Sequence, residues 1–154
     1  MKKISDHISY KEATHSDYAQ QFKIDNKPKT EHIKNMEVIA EKVFEPLREW
    51  VEGPIKVNSM FRSENLNRSI KGSPSSNHLT GNAIDLTTMG GKSNLDMFHY
   101  IKDNLDFHQL IWEFGIEQPN WIHVSYKNKK DNKKEVLVTR KKGRYSNWTE
   151  CKTC

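Results

Sequence analysis

The segment SSNHLTGNAID, residues 75–85, sets His78 and Asp85 seven positions apart, with Gly81 and Ala83 between them. An imidazole nitrogen and a carboxylate oxygen are both zinc donors, and a catalytic zinc takes three protein ligands while keeping a fourth position open. Gly81 permits a sharp turn between the two donors, and Ala83 leaves room beside them. A third donor has to come from a neighbouring strand. His123 in WIHVS is the best placed, because it alternates with Ile122 and Val124 and therefore faces away from them. Taken alone, H-x6-D is equally what a loop running into a strand contains. His15, His32 and His99 fall on predicted helices as ordinary surface residues.

Donors of this kind need a scaffold, and the hydrophobic pattern outlines one. Residues 9–22 read as a short helix, which Asn and Pro in KIDNKPKT break. Thr30 is the expected N-cap of the longest helix, residues 31–51, with Ile33, Met36, Ile39, Ala40, Val43, Phe44 and Leu47 on one face. Pro46 either kinks that helix or ends it and opens a second one. Residues 53–61 alternate after a Gly-Pro turn and predict a strand. Ser63 caps a short helix, residues 82–88 predict another strand, and Ser93 caps a helix to about Asn104. The segments FHQLIWEF, NWIHVSY and EVLVTRK supply three further strands. The expectation is an α+β fold, with N-terminal helices packed on a mainly antiparallel sheet that carries the metal site.

Bulk properties narrow the function classes. A chain of 154 residues predicts one domain with one core, small because only 34% of residues are hydrophobic and the mean hydropathy is −0.88. Four Trp, five Tyr and six Phe argue against disorder. No apolar run is long enough to span a membrane, and MKKISDHISY lacks the apolar stretch of a secretory signal. Residues 127–154 carry 10 Lys and Arg against 3 Asp and Glu, whereas the preceding part carries 15 against 17. The basic KNKKDNKK reads as a solvated hairpin tip or as a patch drawn to a polyanion such as nucleic acid or an anionic cell wall. Nucleic acid is the weaker partner, since no aromatic stacking platform accompanies the lysines. Cys151 and Cys154 cannot staple a framework and make only half of a zinc knuckle.

A longer match sharpens the metal reading. SMFRSENLNRSIKGSPSSNHLTGNAIDL resembles the zinc D-Ala-D-Ala carboxypeptidase family, whose fold is shared with the hedgehog signalling domain and other peptidoglycan metallopeptidases. The pattern S-x-H-x-x-G-x-A-x-D is met by Ser76, His78, Gly81, Ala83 and Asp85. Phe61-Arg62-Ser63 matches the upstream aromatic-Arg-Ser element, and Trp121, His123 and Val124 match W-x-H-V. FKIDNKP and VFEPLREW are less specifically similar to the segment before the motif in small members.

The resemblance implies zinc on His78, Asp85 and His123, with Arg62 pairing with a substrate carboxylate or carbonyl and Ser76 holding the substrate's polar end. Several members carry a catalytic carboxylate three residues before the last histidine. Here that position is Asn120, which cannot exchange a proton. Glu113 is the expected base, desolvated between Trp112 and Phe114 and returned towards His123 by a hairpin, with Glu117 as the alternative. The implied activity is zinc-dependent hydrolysis of peptidoglycan stem or cross-link peptides by a monomer. Without a signal, the chain would act at the wall after release, as a phage endolysin does. A catalytically inactive zinc-containing wall-binding module is the alternative.

Overall fold

The computed structural model describes residues 2–150, so Cys151 and Cys154 lie outside the described residues. Six strands form the main sheet: β3 (Ile55–Ser59), β4 (Ala83–Thr88), β5 (Gln109–Glu113), β6 (Trp121–Ser125), β7 (Glu135–Lys141) and β8 (Arg144–Asn147). Their spatial order is β3-β4-β6-β5-β7-β8. Every pairing is antiparallel except β5 with β7, which is parallel. Helices α3 (Thr30–Ile39), α4 (Glu45–Val51), the short α5 (Glu64–Ser69) and α6 (Asn94–Asn104) contribute further elements of this mixed α+β architecture. A small hairpin of β1 (Lys3–Ser5) and β2 (Ile8–Ser9) precedes them, a pairing with no apolar alternation to announce it.

The alternation of side chains along each strand separates two faces. Ile84 and Leu86 on β4, Leu110 and Trp112 on β5, and Ile122 and Val124 on β6 are buried in one cluster with Met36, Phe44, Leu47 and Phe98. The opposite face carries Asp85, His123, Ile111 and Glu113, because Asp85 pairs with His123, Ile111 with His123, and Glu113 with Trp121.

Several local expectations are corrected. Residues 9–22 hold two helices, α1 (Tyr10–Thr14) and α2 (Asp17–Gln21), each with its own serine cap, Ser9 and Ser16. Thr30 is already helical and Lys29 occupies the cap position, where His32 Nδ1 accepts from its N–H at 3.1 Å. The predicted 31–51 helix is interrupted by a five-residue π turn, Ala40–Phe44, before α4 begins. Pro46 lacks the N–H that a continuous helix would need, and it sits in the first turn of α4, where no donor is required. The basic 127–134 segment is no hairpin tip. It carries the chain past β5 from β6 to β7, which is why β5 and β7 run parallel. The true tip is Lys142–Gly143, between β7 and an eighth strand whose sequence, RYSN, is too polar and short to be read as one.

Phe98 anchors the helix-covered face, with its ring edge-on to Trp112 at 5.3 Å and tilted against Trp148 at 5.4 Å. Phe98→Ala should lower unfolding free energy by about 3–5 kcal/mol in a denaturant titration, the usual cost of emptying such a site.

Candidate metal centre

His78 is presented by a single turn of 3₁₀ helix, Asn77–Thr80, packed between α3 and β4. Ser76 caps the turn, its Oγ accepting from the His78 N–H at 3.2 Å. Gly81 ends it in the left-handed region at φ 78°, and a Cβ there would come within 2.5 Å of the His32 carbonyl oxygen. Only glycine satisfies both the dihedral and the close approach to α3. The His78 Nδ1–H donates to the Met60 carbonyl at 2.7 Å, which fixes the ring and leaves Nε2 as the donor atom towards Asp85, 3.2 Å away. From the adjacent strand, His123 Nδ1 lies 3.0 Å from the same Asp85 oxygen. One donor atom from each of the three residues falls within 4.8 Å of the others, so the group can hold a metal ion.

The charge state suits ligation. Burial would raise the Asp85 pKa, but the His78 charge and hydrogen bonds from His123 and His78 outweigh it and hold the carboxyl well below the usual range. Burial lowers the His78 pKa against the pull of Asp85, which favours release of the Nε2 proton to make way for a cation.

Glu113 ends β5 on the same face, one diagonal step from His123 in the sheet register. Burial pushes its carboxyl up to about 7, with Asp85 adding to the rise and His123 and Arg62 opposing it. Among the described residues its carboxylate has no hydrogen-bond partner, whereas its backbone carbonyl accepts from Asn120 N–H at 3.0 Å. The chain then turns sharply: Phe114 and Gly115 both have positive φ, at 56° and 66°. A left-handed phenylalanine costs about 1–2 kcal/mol, and here it is held by Phe114 N–H donating to Thr139 O at 2.8 Å and by the Phe114–Trp121 ring contact at 5.3 Å. Glu117 lies exposed on the loop beyond, and Asn120 is also exposed.

Arg62 lies past the end of β3, on the irregular link that leads to the helix capped by Ser63. Its backbone N–H donates to His78 O at 3.1 Å, which ties the link to the 3₁₀ turn. The guanidinium is largely buried, its Nε has no partner, and it makes no ion pair among the described residues. Burial works against its charge, and Asp85 and Glu113 sustain it.

The residue that locks this link is Asn26. Its Nδ2 donates to Thr14 O at 2.8 Å and Phe61 O at 3.1 Å, and its Oδ1 accepts from Ser63 N–H at 2.7 Å. Ser63 Oγ meanwhile donates to Asp25 O at 2.9 Å. The likeness of FKIDNKP to small family members was the only signal for Asn26, since nothing in local periodicity marks a long-range staple. Asn26→Ala leaves at least one of these backbone groups unpaired. It should cost about 1–3 kcal/mol of stability in a thermal or denaturant melt, while the metal content stays at the wild-type level.

Among the described residues no helix is long and apolar enough to cross a membrane. No curated protein matches the chain. The family model described as peptidase M15 matches residues 6–125, a span running from the N-terminal hairpin through β6 and including His78, Asp85, Glu113 and His123. The chain belongs to the peptidase M15 family, whose members are metal-dependent peptidases.

Proposed function

We propose that this protein is a zinc peptidase that hydrolyses peptidoglycan stem or cross-link peptides, of the D-Ala-D-Ala carboxypeptidase or endolysin type. The observation that carries the reading is a sheet face bearing Asp85 and His123, met there by the imidazole of His78 from the 3₁₀ turn, with a second, desolvated carboxylate, Glu113, beside them. The donor set of two nitrogens and one oxygen fits zinc, and a ring nitrogen of His78 is already committed to a backbone carbonyl, as metal-binding histidines generally are. His78, Asp85 and His123 would hold the zinc, which when bound would supply Lewis acidity to the hydrolytic water and the scissile carbonyl.

The chain's own residues do the rest. Glu113 takes the proton from the attacking water and returns it to the leaving amine nitrogen, a task for which a pKa near neutrality is suited. It fills the role that Asn120 cannot, and Glu117, out on the loop, is too far exposed to be desolvated. Arg62 offers an unpaired fork to a substrate carboxylate or carbonyl. Ser76 uses its lone pair on the His78 N–H and retains its hydroxyl proton for the substrate's polar end. The positive charge of residues 127–154 favours an anionic wall as the place of action.

Purified peptidoglycan incubated with the protein should release new amino termini, identified by mass spectrometry, and a chelator should stop the release. One zinc per chain with no release would instead assign a wall-binding module of the same fold.

The Glu113 assignment has its own signature. A carboxyl whose folded pKa is raised binds its proton more tightly folded than unfolded, so it stabilises below the unfolded pKa and loses that contribution as pH rises through about 7. Metal-free Glu113→Gln should therefore melt higher than wild type at pH 8, yet show no hydrolysis when loaded with zinc. In the wild type, activity should fall on the acid side at or below about 7 as Glu113 takes up its proton. Full activity in the Gln variant would move the base elsewhere.

A further inference from the structure

The hairpin of β7 and β8 lies beyond residues 6–125, the span of the family match, yet the sheet register carries it onto the metal-donor face. Glu113 pairs with Thr139 across β5 and β7, and Thr139 pairs with Tyr145 across β7 and β8. Cross-strand partners share a face, so Tyr145 stands in line with Glu113, roughly 10 Å away at about 4.8 Å per strand. Thr139 between them is a low floor: it is 2% exposed, and its Oγ donates to Lys141 O at 2.9 Å.

Tyr145 is 54% exposed, although it sits inside a paired strand, and its hydroxyl has no hydrogen-bond partner among the described residues. Burial of part of the ring raises the phenol's pKa, Glu113 and Asp85 raise it further, and Arg62 lowers it. The phenol thus lies within electrostatic reach of three residues of the candidate site and stays a neutral donor near pH 7. The hairpin itself is anchored. Trp148 N–H donates to Val136 O at 3.0 Å, and Lys142 Nζ donates to Ile70 O at 3.1 Å, in the loop that leads to Ser76 and His78. Lys142 thereby ties the hairpin to the end of the segment that precedes Ser76 and His78.

We propose that Tyr145 is a substrate-binding residue of this donor face, its phenol donating a hydrogen bond to the peptide on the side of Glu113 remote from His78, Asp85 and His123. The inference rests on the peptidase reading above, and it assigns to the β7–β8 hairpin a part in recognition.

The test is Tyr145→Phe in the full, zinc-loaded chain, with steady-state kinetics on a soluble stem peptide that the wild type cleaves and calorimetric binding of the purified product peptide. Loss of one such hydrogen bond should raise KM and weaken product binding roughly 3–10-fold, leave kcat within about 2-fold of wild type, and leave zinc content and Tm unchanged. Tyr145→Ala should weaken binding further, because the exposed ring is removed as well. Wild-type KM and product affinity in the Phe variant would overturn the inference while leaving the peptidase reading intact. A Tm drop accompanied by equal losses in both variants would also overturn it, by reducing Tyr145 to a strand-edge support. A wild-type protein that neither cleaves nor binds stem peptides overturns both readings.

Discussion

A carboxylate withdrawn from water needs its charge answered, and at Asp85 the answer comes from two imidazoles contributed by different parts of the chain. His123 arrives by strand pairing, opposite Asp85 in the β4–β6 register. His78 arrives by a short turn closed by a glycine that cannot be replaced without striking α3. Much of the surrounding structure can be understood as what holds these three groups in register. The sheet supplies the spacing, and the helix-covered face supplies the rigidity that keeps it. A one-residue slip of β6 would turn His123 into the core and bring Ile122 and Val124 out, so burial of the apolar face and assembly of the donor face are the same constraint.

Around that cluster, positioning is done mainly by side chains bonded to backbone. Asn26 grips both sides of the Arg62 link, Ser76 caps the His78 turn, and Asn82 and Tyr126 exchange bonds that fasten the start of β4 to the end of β6. Asn67 does the same for the loop at Gly72 and Ser73, where its amide donates to Ser73 O at 2.9 Å. These bonds satisfy irregular backbone that no helix or strand ladder reaches. Arg62 is the contrast: a guanidinium kept close to two carboxylates without touching either. Among the described residues, its Nε is a buried donor left without a partner.

Glu113 shows how environment changes the acidity of a common residue. Its neighbour in sequence, Phe114, takes a left-handed conformation that ends β5 abruptly and brings an aromatic ring against Trp121. The carboxylate is thereby left between an apolar wall and the Asp85 charge, and both raise its proton affinity. Glu117, four residues further along the same loop, is an identical side chain in open water.

What the residues alone determined was everything carried by short-range pattern and donor chemistry. The His-x6-Asp spacing, the alternation that turned His123 away from Ile122 and Val124, the serine caps at Ser63 and Ser93, and the strand character of residues 109–113 and 121–125 are all local properties. They survive because period and capping depend on neighbours within about one turn. Only the tertiary structure decided that β7 runs parallel beside β5, that a polar RYSN segment becomes the edge strand, that Asn26 clamps a link 35 residues away, and that β3 ends at Ser59, two residues short of the alternation. Those outcomes turn on which distant backbone groups pair and which charges lose their water, and neither is written in the spacing of nearby residues.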